Sequence, residues 1–265
     1  MSEKVIFNFF EPNTVVKSMC DFFNIEYEQM KKFIQENLDD TIENLENNFM
    51  ETFNINDQFK DSDNCYIRLK HITTCNDNLE SIKSYGLRDL VFLLKKEESF
   101  LNKFLKEREI KIIYKEKRII ICGKSYKLKM NYNMNELDDD EIERNFEIIY
   151  SKLYKDKGEI EAFLRGADNQ ITQYSMVRHA PEILQNIDNI LRRLHSSTNL
   201  VYDWSHISSF QGYILEFDVP ISKLSNGNDL LVNCFSTLQG NNSEKYAAIK
   251  NGTEIRFENL KIQKL

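Results

Sequence analysis

The chain has 265 residues, of which 41% are hydrophobic and 12% aromatic, with 8 Gly, 3 Pro and a formal net charge of −7. This composition is typical of a folded protein and excludes a collagen-like or low-complexity chain. No apolar run approaches the ~20 residues that a membrane-spanning helix needs. Five scattered cysteines without a CxxC pair argue against a disulfide framework or a structural zinc site.

The first 60 residues are predicted to form an acidic helical region. Apolar residues recur at spacings near three and four from Val15 to Phe53, which predicts helices over residues 13–52 with a break near Asn24. Residues 1–60 contain 12 acids and 5 lysines, a net charge of 5 − 12 = −7. The polar, turn-rich stretch that follows predicts a boundary, with residues 61–265 as a second region. We expect a cytoplasmic protein, because the N-terminus lacks a signal-like apolar segment with a basic flank.

The next elements are a strand and a short helix. Alternating β-branched residues predict a strand over Cys65–Thr73. A helix is predicted over Asn78–Tyr85, with Asp77 as its N-cap. Gly86 suits the position after the helix, where a positive φ is needed. A longer amphipathic helix is predicted over Asp89–Arg108.

A basic segment follows this helix. Ile110–Tyr114 and Arg118–Cys122 flank a short polar turn, which predicts a hairpin. Residues 103–129 hold ten Lys or Arg and three Glu, a net charge of 10 − 3 = +7. This segment is the best candidate for a contact with phosphate, although a solvated hairpin and helix face would have the same composition.

The rest of the chain mixes helices and strands. Helices are predicted over Glu136–Tyr154 and from Pro181 to Leu194, with a further helical turn over Glu159–Leu164, and strands are predicted over Thr172–Ser175, Gly212–Val219, Leu230–Phe235, Thr253–Phe257 and Leu260–Ile262. The predicted fold class is α+β, with an N-terminal helical region and a mixed, largely antiparallel sheet core.

The stretch from Tyr66 to Leu87 resembles the opening of ADP-ribosyltransferase folds. His71-Ile72-Thr73 ends the predicted strand, and Asn78-Leu79-Glu80-Ser81-Ile82 and Gly86-Leu87 follow it. The resemblance is closest to the branch of DarT-like DNA-modifying toxins and RNA 2′-phosphotransferases. Such proteins often carry a glutamate on a late strand, and the matching segment here is Lys250–Phe257, with Glu254. The resemblance implies an ADP-ribosyltransferase-like sheet core and NAD⁺ as substrate.

The resemblance also assigns roles to three residues. Glu254 takes the catalytic acidic position, His71 the family histidine, and Thr73 the accompanying hydroxyl. Cleavage of the nicotinamide–ribose bond develops positive charge on the ribose, which a nearby carboxylate stabilises. A neutral imidazole and a threonine hydroxyl can hold NAD⁺ by hydrogen bonds.

Further cofactor contacts are predicted in the segment before the helix at Pro181. Tyr174 is the candidate for an aromatic ring stacked on the nicotinamide, with Tyr150 and Tyr154 as competing candidates. Arg178 and His179 precede a helix and are candidates for contacts with the NAD⁺ pyrophosphate or a nucleic acid phosphate. The sequence predicts no metal site.

The functional hypothesis is an NAD⁺-dependent ADP-ribosyltransferase that modifies a nucleic acid or a protein. The branch implies a toxin or a phage-defence effector, with a possible neutralising partner protein. One alternative is a non-catalytic binding or regulatory protein of the same fold that engages a partner through its acidic helices. Another is transfer of a 2′-phosphate from RNA to NAD⁺.

Overall fold

A computed structural model describes residues 3–56, 62–130, 141–156, 159–166, 171, 179–225, 229–241 and 243–265. Within these ranges the fold is α+β, as the sequence predicts. Contacts between Cα atoms divide the chain into two compact units. The first unit consists of Met1–His71, Glu161–Thr172 and Leu215–Lys250, and the second of Ile72–Ile160, Gln173–Ile214 and Asn251–Leu265.

The elements are named in chain order. The strands are β1 (Val5–Phe7), β2 (Cys65–Cys75), β3 (Lys111–Ile113), β4 (Arg118–Ile121), β5 (Lys124–Lys127), β6 (Ile160–Arg165), β7 (Gln211–Pro220), β8 (Lys245–Ile249) and β9 (Lys261–Lys264). The helices are α1 (Pro12–Phe23), α2 (Tyr27–Asn37), α3 (Ile42–Thr52), α4 (Glu80–Tyr85), α5 (Leu90–Lys95), α6 (Phe100–Glu107), α7 (Glu141–Tyr150), α8 (Glu182–Arg193), α9 (Leu200–Ser205) and α10 (Leu230–Leu238).

The first unit contains a mainly antiparallel sheet with helices packed on it. Its strands follow the order β8, β6, β2, β7, and β1 pairs with β2 in parallel. β2 and β6 are antiparallel, with Lys70 opposite Phe163. Helices α1 to α3 bury aromatic residues against α10, where the ring of Phe49 lies 5.7 Å from Phe33 and 5.6 Å from Phe235. Aromatic pairs at these separations bury large apolar area and add a geometric preference.

The N-terminal helices confirm the predicted break. α1 ends at Phe23, and its C-cap Asn24 adopts a left-handed conformation with φ 53°. Asn tolerates this conformation better than most residues, so the chain can turn there. A second break, at residues 38–41, interrupts the predicted stripe, and the Thr41 side chain then caps α3 by accepting from Asn44 N. The predicted boundary between residues 60 and 61 stays a prediction.

The second unit holds a separate three-stranded antiparallel sheet in the order β3, β4, β5. One face of this sheet and helices α6, α7, α8 and α9 share a buried core. Trp204 belongs to this core; it is 3% exposed, with its ring centroid 5.0 Å from that of Phe104. β9 pairs with β7, and Leu265 N donates to Gly212 O (3.0 Å).

Several elements differ from the sequence prediction. The predicted helix 89–108 is two helices, because Lys96 is extended and Ser99 caps a new start by accepting from Asn102 N. Glu159–Leu164 forms β6 and not a helical turn, and Leu230–Phe235 forms α10 and not a strand. Both segments are nearly all buried, and a fully buried apolar run has no periodicity that distinguishes helix from strand.

The C-terminal segment also differs. Thr253–Phe257 is no regular strand, although Ile255 forms an antiparallel bridge with Leu87. Thr172–Ser175 lies outside the described residues. Among the helices that the structure describes, none has both the length and the apolar character required to cross a membrane.

Candidate functional site

His71 lies in β2 where the burial pattern of the strand changes. Cys65, Ile67 and Leu69 are buried at alternate positions, then Lys70 and His71 are both half-buried, and burial resumes at Ile72. The alternation therefore shifts by one residue at this point. The shift leaves His71 half-buried in the middle of a long strand.

The backbone fixes the tautomer of His71. Its Nδ1 lies 2.8 Å from the carbonyl oxygen of Glu161. A carbonyl oxygen accepts only, so Nδ1 carries the proton and Nε2 carries the lone pair. Burial lowers the pKa of His71 below its ordinary value, and the bond to Glu161 partly offsets that shift. At neutral pH the ring is uncharged, and Nε2 can accept a hydrogen bond from a hydroxyl.

Thr73 is half-buried two residues further along β2. The corner that follows it, residues 74–79, is held by hydrogen bonds. Trp204 Nε1 donates to Thr74 Oγ1 (3.1 Å), and Asn76 Nδ2 donates to the Trp204 carbonyl oxygen (3.1 Å). Two consecutive residues, Asn78 and Leu79, have φ of 52° and 67°. A leucine in this left-handed region is strained, so the surrounding bonds hold the corner in place.

Cys75 takes part in this corner as a hydrogen-bonded thiol. Its Sγ donates to Asp77 Oδ1 (2.6 Å) and accepts from Leu79 N (3.0 Å). Burial raises the pKa of the Cys75 thiol to about 12. The thiolate is the reactive form of cysteine, so Cys75 is structural at neutral pH.

The Gly86–Leu87 turn contacts the segment that carries Glu254. Leu87 N donates to Ile255 O (2.8 Å), and Ile255 N donates back to Leu87 O (3.2 Å). Gly86 has φ +71°, and a Cβ placed on it would lie 2.6 Å from Ile255 O and 3.1 Å from Glu254 Cγ. Only glycine allows this approach, because it has no Cβ and adopts positive φ easily. The two sequence windows of the resemblance therefore meet at Gly86.

Arg88 holds the Glu254 carboxylate at this contact. Arg88 Nη1 lies 2.7 Å from Glu254 Oε2, and the side chains are 16% and 47% exposed. The Arg88 guanidinium also lies 4.2 Å from the centroid of the Phe92 ring, and Phe92 contacts Tyr85 edge to face. The carboxylate is thus fixed on one side and open on the other. Sequence reasoning missed Arg88, although its position directly after Gly86-Leu87 was a usable signal.

The other predicted site residues have different outcomes. His71 belongs to the first compact unit, whereas Thr73, His179 and Glu254 belong to the second. His179 is exposed, two residues before the Pro181 N-cap of α8. Tyr174 and Arg178 lie outside the described residues. Where residues are described, no group of three or more His, Cys, Asp or Glu side chains is arranged to hold a metal ion.

The competing aromatic candidates form a cluster of their own. Tyr150 ends α7, and Tyr154 lies on the π-helical turn Ser151–Lys155 that follows it. Their ring centroids are 5.1 Å apart, and Lys117 Nζ lies 5.3 Å and 5.5 Å from them. Tyr154 Oη donates to Tyr114 O (3.2 Å), so this ring is held by the β3–β4 hairpin. Both rings are half-buried.

Comparison of the chain with protein-family models, with curated proteins and with solved structures finds no match. The resemblance to ADP-ribosyltransferases therefore rests on residues of this chain alone.

Proposed function

We propose that the protein is an NAD⁺-dependent ADP-ribosyltransferase in which Glu254 is the catalytic carboxylate. The contact of Gly86 and Leu87 with Glu254 and Ile255 carries the proposal. Two segments that resemble the family lie about 170 residues apart in the sequence, and they are in direct backbone contact. A chance pair of short motifs has no reason to meet, and still less through a glycine that no other residue can replace.

Glu254 has the chemical properties that the reaction needs. The bond from ribose C1′ to nicotinamide N1 breaks, and its electron pair leaves with neutral nicotinamide. The positive charge that develops on the ribose is stabilised by the Glu254 carboxylate. A nucleophilic oxygen or nitrogen of the acceptor then bonds to C1′, and its proton passes to the carboxylate or to water. The exposed side of Glu254 leaves room for the ribose.

By the resemblance, His71 and Thr73 would each contact NAD⁺. Neutral His71 would accept a hydrogen bond from a ribose hydroxyl through Nε2, the role that its tautomer allows. Thr73 would offer its hydroxyl as donor or acceptor. Tyr174 keeps its predicted role in stacking on the nicotinamide, and Arg178 and His179 keep theirs in binding the NAD⁺ pyrophosphate or a nucleic acid phosphate.

The acceptor is a nucleic acid or a protein. By its resemblance to the DarT-like branch, the protein would be a toxin or a phage-defence effector with a neutralising partner protein, and the cytoplasm stays its expected location. A non-catalytic protein of the same fold is the alternative that a negative activity assay would favour.

The test is nicotinamide release from labelled NAD⁺ in the presence of mixed DNA, RNA and protein. We expect wild type to release nicotinamide and to transfer label to a macromolecule. Glu254→Gln keeps the side-chain shape and removes the charge, so its rate should fall at least ~100-fold. His71→Ala should mainly raise the KM for NAD⁺, because it removes a binding contact.

Glu258→Gln is the matched control. Glu258 is an exposed carboxylate four residues from Glu254, with a loose 3.9 Å contact to Arg256. It should retain nearly full activity. Equal loss in both variants would show a general charge effect, and no nicotinamide release by wild type with any acceptor would overturn the proposal.

A further inference from the structure

A buried arginine at the end of β6 lacks a partner of opposite charge within the described part of the chain. Arg165 is the last residue of this strand and is only 5% exposed. Burial lowers its pKa, and among the described groups no carboxylate is close enough to offset that change. An arginine keeps its charge in proteins, so Arg165 is a buried cation in need of a counter-ion.

Arg68 in the same compact unit shows the usual arrangement. It lies on β2 and is half-buried. Its Nε is 2.8 Å from Asp218 Oδ1 and 3.6 Å from Glu216 Oε1. Moving a charge out of water is costly in free energy unless a group of opposite charge compensates. Arg165 is more buried than Arg68 and therefore carries the larger cost without this compensation.

Neutral acceptors hold the Arg165 guanidinium at long distances. Nε donates to the carbonyl oxygen of Ser243 (3.2 Å), and Nη1 donates to Thr237 Oγ1 (3.4 Å). The Thr237 hydroxyl donates in turn to Asn233 O (2.7 Å), so it receives Nη1 through a lone pair. Among the residues that the structure describes, none accepts from Nη2. The guanidinium is thus fixed in orientation while the donors of Nη2 stay available.

Two sources of negative charge lie near Arg165 in the described ranges, and neither completes the pairing. Thr237 belongs to the last turn of α10, whose C-terminus carries only about half an elementary negative charge. Glu244 passes close to Gly166, since a Cβ on Gly166 would lie 3.5 Å from Glu244 Cγ. Its carboxylate accepts instead from Tyr246 Oη (3.0 Å). A full negative charge from outside the chain would complete the pairing.

We infer that Arg165 binds a small free oxyanion, with inorganic phosphate as its ligand. The planar guanidinium matches two oxygens of such an ion, and the donors of Nη2 are the ones available for it. Ser243, which accepts from Nε, is exposed, so the guanidinium lies just below the surface. Because Arg165 itself is nearly covered, a free ion fits this position better than a phosphate group on a bulky molecule.

This site goes beyond the proposed transferase activity, because it shares no residue with the Gly86–Glu254 contact and needs no NAD⁺. The experiment is urea unfolding of the full chain, followed by circular dichroism, at increasing phosphate and constant ionic strength set with chloride. A ligand that binds only the folded state stabilises it in proportion to its concentration. We expect the unfolding equilibrium constant of wild type to fall about tenfold for each tenfold rise in phosphate above the Kd.

Two substitutions of Arg165 test the contact. Arg165→Met keeps a long apolar stem and removes the charge, so it should show no specific response to phosphate. General salting-out by phosphate acts on every variant alike, and the difference between wild type and Arg165→Met isolates the site. Arg165→Lys keeps the charge without the planar fork, so it should respond with a Kd raised about tenfold.

Two further variants serve as controls. Arg256→Met removes an arginine whose side chain is 71% exposed, with the same change in net charge, and should respond like wild type. Glu244→Gln removes the nearest carboxylate and should also respond like wild type. A response by Glu244→Gln without one by wild type would mean that Glu244 is the counter-ion, which would overturn the inference.

The remaining outcomes are distinct. Equal responses of wild type and Arg165→Met would place phosphate elsewhere or nowhere, and would also overturn the inference. Phenyl phosphate, a bulky monoester, should bind at least about tenfold more weakly than inorganic phosphate, and equal binding would contradict the assignment to a free ion. All these measurements are made without NAD⁺, so failure here and failure of the transferase proposal are distinguishable.

Discussion

The Gly86–Glu254 contact and the open face of the β3–β4–β5 sheet lie in the same compact unit. The two regions differ in whether a charged side chain has a partner of opposite charge. At the contact, the Glu254 carboxylate has its counter-ion within the chain, Arg88 at 2.7 Å. On the open face of the β3–β4–β5 sheet, Arg118 lies opposite Lys127 and donates from Nε to the neutral Ser125 Oγ (2.7 Å). The Glu254 carboxylate is therefore neutralised from within the chain, whereas like charges that lie opposite on adjacent strands repel each other.

The difference also extends to the backbone. The contact requires a residue without Cβ, because Gly86 sits against a carbonyl oxygen. Gly123, in the turn between β4 and β5, also has a positive φ but has open space around it. Alanine substitutions at Gly86 and Gly123 can therefore separate the cost of a steric clash from the cost of a side chain at positive φ.

Gly86→Ala should have the largest effect on stability. The added Cβ meets Ile255 O at 2.6 Å in a conformation that disfavours side chains. We expect a loss of about 3 kcal/mol in the free energy of unfolding, measured by urea denaturation. Gly123→Ala, with φ +73° and no atom within 4 Å, should lose only about 1 kcal/mol. Equal losses would mean that the close approach does not exist in solution.

Asp89→Ala should have the next largest effect. Asp89 is 5% exposed and caps α5 by accepting from Phe92 N (2.7 Å), so it orients the ring that lies against Arg88. We expect a loss of about 1.5 kcal/mol by urea denaturation. Thr41→Ala removes a longer, exposed cap on α3 (3.3 Å) and should lose about 0.5 kcal/mol. A larger loss of stability for Thr41→Ala than for Asp89→Ala would contradict the packing of the Phe92 ring against Arg88.

The ion pair itself should contribute little to stability. Glu254 is 47% exposed, so water screens its attraction to Arg88. A double-mutant cycle with Arg88→Met and Glu254→Gln should give a coupling energy below about 1 kcal/mol. A coupling of several kcal/mol would mean that the pair is a structural bond and not a site available to a ligand.

His71 should give a small dependence of stability on pH. Its folded-state pKa is lowered by burial below the ordinary 6.5, so the unfolded chain binds the proton more readily. This contribution is fully present above pH 6.5 and is lost as pH falls through the folded pKa, at less than ~1.4 kcal/mol per pH unit. His71→Asn, whose amide can donate to the same carbonyl, should show a weaker decline between pH 7.5 and 5. An unchanged decline would assign it to other groups.

Local signals in the sequence predict much of the fold near the candidate site. The strand over Cys65–Thr73, the helix ending at Tyr85 and the positive φ of Gly86 each follow from neighbouring residues. The predictions for Glu159–Leu164 and Leu230–Phe235 were wrong for one physical reason. Burial on nearly every side removes the polar positions that reveal the period of a helix or a strand.

The candidate site was less predictable, because its parts are distant in sequence. Local patterns indicate Gly86 and Glu254 one at a time, but their contact and the Arg88 partner depend on tertiary packing. The charge of the basic segment was visible in the sequence. The approach of Tyr150 and Tyr154 to Lys117 was not, since α7 and its π-helical turn lie beyond the hairpin in the chain.

The most direct measurement of the central proposal compares nicotinamide release by Arg88→Gln and Glu254→Gln, with wild type beside them. Both variants break the same ion pair, but only the second removes the carboxylate that we propose stabilises the ribose charge. We expect Arg88→Gln to lose less than about tenfold in rate and Glu254→Gln at least about 100-fold. Equal rates in the two variants, or activity that survives Glu254→Gln, would contradict the role of Glu254 as the catalytic carboxylate.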